Sequence, residues 1–213
     1  MINLSGYLKR TLLLSSILVL VSILFPSKIS ANEELTKSSN STYSISQEGD
    51  LEADYTFTLS RKSEIPSVVT KFSLSIPFED YSSITITVGG NNYKYTTKKQ
   101  SGSTEITFEL PNIIVTRSSP LFISTKVNLE DYVNTEGENY HILVPPVPSF
   151  VTDAVFVRYP AKWGDIAWSS TSWTSDQESR DIKTLKLKLN QENVNPSIAL
   201  VIGKDLGYKL EMN

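Results

Sequence analysis

Leu51-Glu-Ala-Asp-Tyr-Thr-Phe-Thr-Leu59 alternates without a break. Leu51, Ala53, Tyr55, Phe57 and Leu59 take one parity, and Glu52, Asp54, Thr56 and Thr58 take the other. Successive side chains of an extended strand point to opposite faces, so this segment reads as a strand that is apolar on one side and wet on the other. Working outward, Tyr43 and Ile45 alternate with polar residues ahead of a turn at Glu48-Gly49-Asp50. Downstream, Phe72, Leu74 and Ile76 repeat the pattern until Pro77, and Ile84, Ile86 and Val88 repeat it again. Gly89-Gly90-Asn91-Asn92 then supplies the positive φ angles of a tight hairpin, with Tyr93 and Tyr95 opening the expected return strand.

The period of two persists along the chain. Ile106, Phe108 and Leu110 show it, as do Leu121 to Leu129 and Tyr140, Ile142 and Val144. Further strands are expected at 154–159, 166–170, 185–189, 198–202 and 206–212, about a dozen in all. No window outside the N-terminus has a helical period. Clean one-face alternation points to antiparallel sheets packed face to face, so the expected class is all-β, an antiparallel β-sandwich over residues 41–213. Pro145-Pro146-Val147-Pro148 removes ladder donors and marks either a crossing between sheets or a weak boundary near 145–150.

The first residues have a different character. Lys9 and Arg10 precede the apolar run Thr11–Phe25, which is shorter than the ~20 residues a spanning helix needs. Pro26 ends the run, and Ile29-Ser30-Ala31 presents residues that a signal peptidase reads. Residues 1–31 are therefore an expected export signal cleaved after Ala31, with an uncleaved membrane anchor as the alternative. Residues 32–40 are polar and aperiodic and read as a loose leader. Asn40-Ser41-Thr42 matches the glycosylation acceptor pattern.

Charge and composition narrow the function. The whole chain carries 20 basic and 23 acidic side chains. Cleavage removes Lys9, Arg10 and Lys28 and no acid, which leaves 17 against 23, a net of −6. With no basic field, a nucleic-acid partner is not expected. Cys is absent, so thiolate catalysis, disulfides and Cys-ligated metals are excluded.

The search for chemistry finds little. His141 is the one histidine, in Tyr140-His141-Ile142-Leu143-Val144, and reads as a partly covered strand residue. Glu130-Asp131-Tyr-Val-Asn134-Thr-Glu136-Gly137-Glu138-Asn139 lacks calcium-loop spacing and reads as a solvated hairpin tip. Asp176-Gln-Glu178-Ser-Arg180-Asp181 reads as a charged loop, and no carboxylate pair stands out for glycoside hydrolysis. Trp163, Trp168 and Trp173 suggest stacking on sugar rings, but offsets of five put neighbouring members on opposite strand faces. One core tryptophan with loop-covering companions is the plainer reading. No catalytic residue, metal ligand or cofactor-binding residue is assigned, and no cofactor is expected.

Several segments resemble the N-terminal β-sandwich of secreted multidomain bacterial transglutaminase-like proteins. They are Tyr43-Ser-Ile45 through Leu59, Phe72-Ser-Leu74-Ser-Ile76-Pro77, Ile84-Thr-Ile86-Thr-Val88 and Tyr140-His-Ile142-Leu-Val144-Pro145. Val157-Arg-Tyr159-Pro160-Ala-Lys-Trp163-Gly164-Asp-Ile166-Ala-Trp168 and the end from Ile202-Gly203 to Asn213 complete the likeness. The resemblance implies a leading domain ahead of a papain-like core. That core needs Cys, His and Asp, and this chain has no Cys, so no catalytic residue carries over.

Three functions follow as expectations. The first is an exported, non-catalytic accessory or interaction domain at the cell envelope, meeting a protein or glycan at the cell surface. It would touch the membrane only through an uncleaved signal. The second is the N-terminal fragment of a transglutaminase-like enzyme, and the third is a carbohydrate-binding module.

Overall fold

The alternating segment is a strand, and its neighbours explain its register. The computed structural model describes residues 35–145, 151–188 and 197–203. In chain order the strands are β1 (Leu35–Ile45), β2 (Leu51–Arg61), β3 (Ser67–Ile76), β4 (Ser83–Val88), β5 (Asn91–Asn92), β6 (Thr96–Gln100), β7 (Ser103–Val115) and β8 (Leu121–Leu129). They continue with β9 (Asn134–Glu136), β10 (Asn139–Val144), β11 (Val151–Pro160), β12 (Asp165–Ser169), β13 (Trp173–Glu178), β14 (Ile182–Leu187) and β15 (Ile198–Gly203). The one helical element among the described residues is a 3-10 turn at Ala161–Trp163. No described helix is long and apolar enough to cross a membrane.

The strands form an eight-stranded sheet ordered β13-β14-β11-β1-β2-β8-β4-β5 and two smaller sheets, β12-β15-β10-β9 and β3-β7-β6. The fold is all-β and sandwich-like, with antiparallel pairing throughout the described strands except where β1 runs parallel to β11. Inward residues meet in cross-strand rows: Tyr43 faces Ala53 and Ser41 faces Tyr55. Tyr55 also faces Thr125, and Phe57 faces Ile123. A slip of one residue would turn the whole inner set of β2 to water, so burial locks the register.

Both small sheets cover the same face of the large one. Phe57 of β2 packs on Phe72 of β3 with ring centroids 5.6 Å apart, and Phe72 packs on Phe108 of β7 at 5.4 Å. Tyr43 points from that same face, and its hydroxyl donates to the Pro145 carbonyl at the end of β10. Burying each such side chain contributes about 1.5–3 kcal/mol.

The structure departs from the sequence reading at several points. β1 begins at Leu35, inside the segment read as a loose leader. Backbone pairing to β2 along the whole strand supplies the order that residues 35–40 lack in apolar pattern. The Gly89-Gly90 turn forms with φ of 57° and 85°. Its return is only Asn91–Asn92, however, because Tyr93 and Tyr95 do not continue β5. The chain instead crosses to the small sheet, where β6 pairs with β7. The segment read as a charged loop at 176–181 is strand as far as Glu178, paired with β14. β7 runs through Pro111 because a bulge there, with Asn112 at φ 45°, releases the ladder. The expected signal 1–31, residues 146–150 of the suspected boundary, Leu189 and the strand at 206–212 lie outside the described residues.

Candidate functional site

The three tryptophans have three different fates. Trp163 closes the 3-10 turn after β11 and is 5% exposed. Its ring stacks on Tyr140 of β10, with centroids 4.0 Å apart and planes within 5°. This corner is tight: a Cβ on Gly203, whose φ is 141°, would lie 2.6 Å from the Glu138 carbonyl oxygen and 2.4 Å from Asn139 Oδ1. Lys183 of β14 ties the same corner by donating to Asp165 Oδ1 at 2.6 Å and to the Gly164 carbonyl at 3.2 Å.

Trp168 would follow Ile166 inward on a regular strand, since residues two apart share a face. A bulge prevents it. Ile166 pairs with Ile202 and Trp168 with Val201, leaving Ala167 as the extra residue. Ile166 packs against the core while Trp168 turns outward, 48% exposed. Bulges characteristically re-aim a side chain in this way. Trp173 opens β13 at the edge of the large sheet and is 39% exposed.

Between these two rings, the chain crosses from the smaller sheet to the larger one through Ser170, Thr171 and Ser172. Hydrogen bonds anchor this link. Ser170 N donates to the Ala199 carbonyl, and Ala199 N donates back to Ser170 Oγ, both at 3.0 Å. Ser169 Oγ donates to the Thr171 carbonyl at 2.7 Å and accepts from Thr171 N at 3.2 Å. Thr171 Oγ1 donates to the Lys188 carbonyl, and Lys188 N to the Ser172 carbonyl, both at 2.9 Å. The result is an open hollow of about 730 Å³ lined by residues 166–173 and Lys188. Among the described residues, its lining holds two exposed indoles, four hydroxylated residues, one cation and no acid.

His141 joins the surroundings of this hollow. It pairs across β15 with the same Val201 that faces Trp168, so all three share the outer face of the smaller sheet. Two strand spacings separate His141 from Trp168, about 10 Å. His141 Nε2 lies 3.6 Å from Glu136 Oε2, with the Glu136 side chain well exposed.

The remaining candidates are structural. The acidic stretch after β8 folds against the 46–50 turn: Tyr132 N and Val133 N both donate to the Gly49 carbonyl at 3.0 Å, and Asp131 N donates to Asp50 Oδ1 at 3.1 Å. Among the described residues, no three His, Cys, Asp or Glu side chains converge to hold a metal ion. Glu52 and Asp54 share Lys126 on the outer face, at 3.0 and 3.6 Å, and the hydrogen bond that Lys126 donates to Glu52 leads the effects raising that lysine's pKa. This is an ion-paired surface cluster, not a free acid–base pair. Asn40 of the acceptor pattern is exposed on β1, and Ser41 points into the core.

The sequence reading set the tryptophans apart, whereas the structure brings Trp168 and Trp173 to one hollow. The missed signal is chemical rather than periodic: a run of small hydroxylated residues between two indoles is the composition of a turn that ends one strand and begins another.

No protein-family model matches the chain, and no curated protein matches it. Solved structures with a similar arrangement include an M1 zinc metallopeptidase from Deinococcus radiodurans, 14% identical with a TM-score of 0.44, matched over 81% of this chain and 43% of that one. Leukotriene A4 hydrolase from Saccharomyces cerevisiae is 11% identical with a TM-score of 0.49, over 85% and 32%. Aminopeptidase A from Legionella pneumophila is 12% identical with a TM-score of 0.44, over 83% and 22%. The chain thus spans less than half the length of each. These are not transglutaminase-like proteins, and they overturn the resemblance drawn from the strand motifs. Most of the quoted motifs were short apolar alternations, which half-buried strands in general display.

Proposed function

We propose that this chain is an exported, non-catalytic β-sandwich domain that acts by binding, as an accessory interaction module at the cell envelope. The observation that carries the reading is the Trp168–Trp173 hollow. A bulge turns one large aromatic side chain into water at that site, and anchored backbone holds the link between the two rings in place. Exposing aromatic surface forgoes core burial, and large aromatics presented on rigid backbone are the usual anchors of binding surfaces. The export half of the reading rests on the basic head, the short apolar run and the Ile29-Ser30-Ala31 site.

Two measurements test it. Fractionation of the producing cells, with mass spectrometry of the N-terminus, is expected to find the chain beginning at Asn32 outside the cytoplasm. An intact Met1 on cytoplasmic protein would overturn export. Purified chain is also expected to co-sediment with isolated envelope, and the double variant Trp168→Ala, Trp173→Ala to remain in the supernatant. Equal sedimentation of both proteins would remove the hollow from the binding surface.

A further inference from the structure

We infer that the Trp168–Trp173 hollow is a carbohydrate subsite. The inference rests on the binding reading above and names the occupant. A pyranose has two chemical aspects, a face of C–H groups and a rim of hydroxyls, and the hollow matches both. The indoles of Trp168 and Trp173 are the two large apolar surfaces in its lining, 48% and 39% exposed, and ring C–H groups pack well on such faces. Between them, Ser169, Ser170, Thr171 and Ser172 line the hollow. The Ser169 and Thr171 hydroxyl hydrogens are held within the chain, so these groups meet a sugar as acceptors, while the Ser170 hydroxyl, which accepts from Ala199 N, keeps its hydrogen to donate. Lys188 adds a charge donor at the rim and its side chain is exposed.

The alternatives fit less well. A helix or apolar peptide segment wants a groove lined mainly by aliphatic side chains, and here Ile166, the one long aliphatic in the lining, packs on the core. Among the described residues of the lining, a cation finds no carboxylate and a polyanion finds a single lysine. The hollow is broad and open to solvent, as suits a chain of sugars passing over it. The two indoles come from different sheets and their link is anchored on both sides, so little ordering is required when a ligand arrives.

The test uses intrinsic fluorescence. The chain has three tryptophans, and Trp163 is buried in its stack on Tyr140, so the exposed pair dominates any ligand response. The full mature chain is titrated with soluble β-1,4-glucan, chitin, xylan and mannan oligosaccharides, and with a proline-rich peptide as the competing class. A saturable change with at least one oligosaccharide is expected. Trp168→Ala and Trp173→Ala should each weaken it about tenfold or more, and Trp168→Phe less. The urea midpoint followed by far-ultraviolet circular dichroism should stay unchanged in the variants, because both side chains lie outside the core.

A flat response across the oligosaccharides overturns the inference, as does binding that the Trp168→Ala variant keeps. A response to the peptide alone also overturns it. Envelope co-sedimentation that depends on Trp168 but disappears after protease treatment of the envelope sinks the carbohydrate assignment while leaving the binding reading intact. Loss of co-sedimentation by the unmodified chain sinks that broader reading instead.

Discussion

Tyr43, Tyr55 and Tyr132 bring phenols into the interior, where burial disfavours the phenolate. Desolvation pushes Tyr132 up to about 12 from 10.0, and it also drives Tyr43 and Tyr55 upward. The folded chain therefore holds protons that the unfolded chain releases above about pH 10. The associated stability is whole below that pH and is lost as pH rises through the folded-state values. A near-ultraviolet phenolate titration is expected to show Tyr43, Tyr55 and Tyr132 ionising above the ordinary tyrosine range until the fold opens. Complete ionisation of all tyrosines near pH ~10 in the folded protein would contradict the burial. Thr125 is a second test at this scale: its hydroxyl is buried and has no hydrogen-bond partner among the described residues. Thr125→Val should raise the unfolding free energy by about 1 kcal/mol in chemical denaturation, since an unpaired buried hydroxyl costs at least that much. The parity of Tyr43, Tyr55 and Thr125 was legible in the sequence. The depth of their burial depends on which sheet lies above them, and a local pattern carries no such information.

At the scale of the element, β2 shows how much alternation alone can reveal. Its odd positions from Leu51 to Leu59 are buried and its even positions only partly so, as the sequence reading expected. Phe57→Ala should cost about 3–5 kcal/mol through the cavity left between Ile123 and Phe72. Thr56→Val on the other face should move stability by no more than about 0.5 kcal/mol. Equal effects in urea melts would mean the register is wrong. β12 shows the limit. Nothing in Ile166-Ala-Trp168 announces the bulge at Ala167, because the extra residue follows from pairing with β15, some 30 positions later in the chain. The pairing of Trp168 and Trp173 in one hollow was illegible for the same reason. Its two indoles are set by a bulge on one strand and the first residue of another, in different sheets. β1 failed in the opposite sense. Residues 35–40 carry too few apolar side chains to look like a strand, yet all of them pair with β2, and residues 38–40 pair with β11 as well.

For the molecule as a whole, the consequence of β1 is testable by truncation. A chain starting at Leu35 keeps the strand complete, whereas one starting at Ser41 loses the ladder from Leu35 to Asn40 against Arg61 to Thr56. The shorter chain should unfold at distinctly lower urea concentration, and the longer one should match the chain that begins at Asn32. If removing residues 35–40 left the midpoint unchanged, the segment would be the loose leader its composition suggests. The class of fold was readable from alternation. The division into three sheets was not, because each strand's pattern identifies one buried face without naming the sheet that covers it.

The parallel pairing of β1 with β11 has a temporal meaning as well as a spatial one. The first strand sits inside the large sheet, and its Tyr43 bonds to Pro145, 102 positions away. A nascent chain cannot finish this sheet until the segment through Pro160 exists, since one flank of β1 stays bare until then. Long-range closure of this kind is slow, because loop entropy is lost before the contacts repay it. If the chain is exported as proposed above, that delay would keep it threadable through a translocation channel until its later strands have followed.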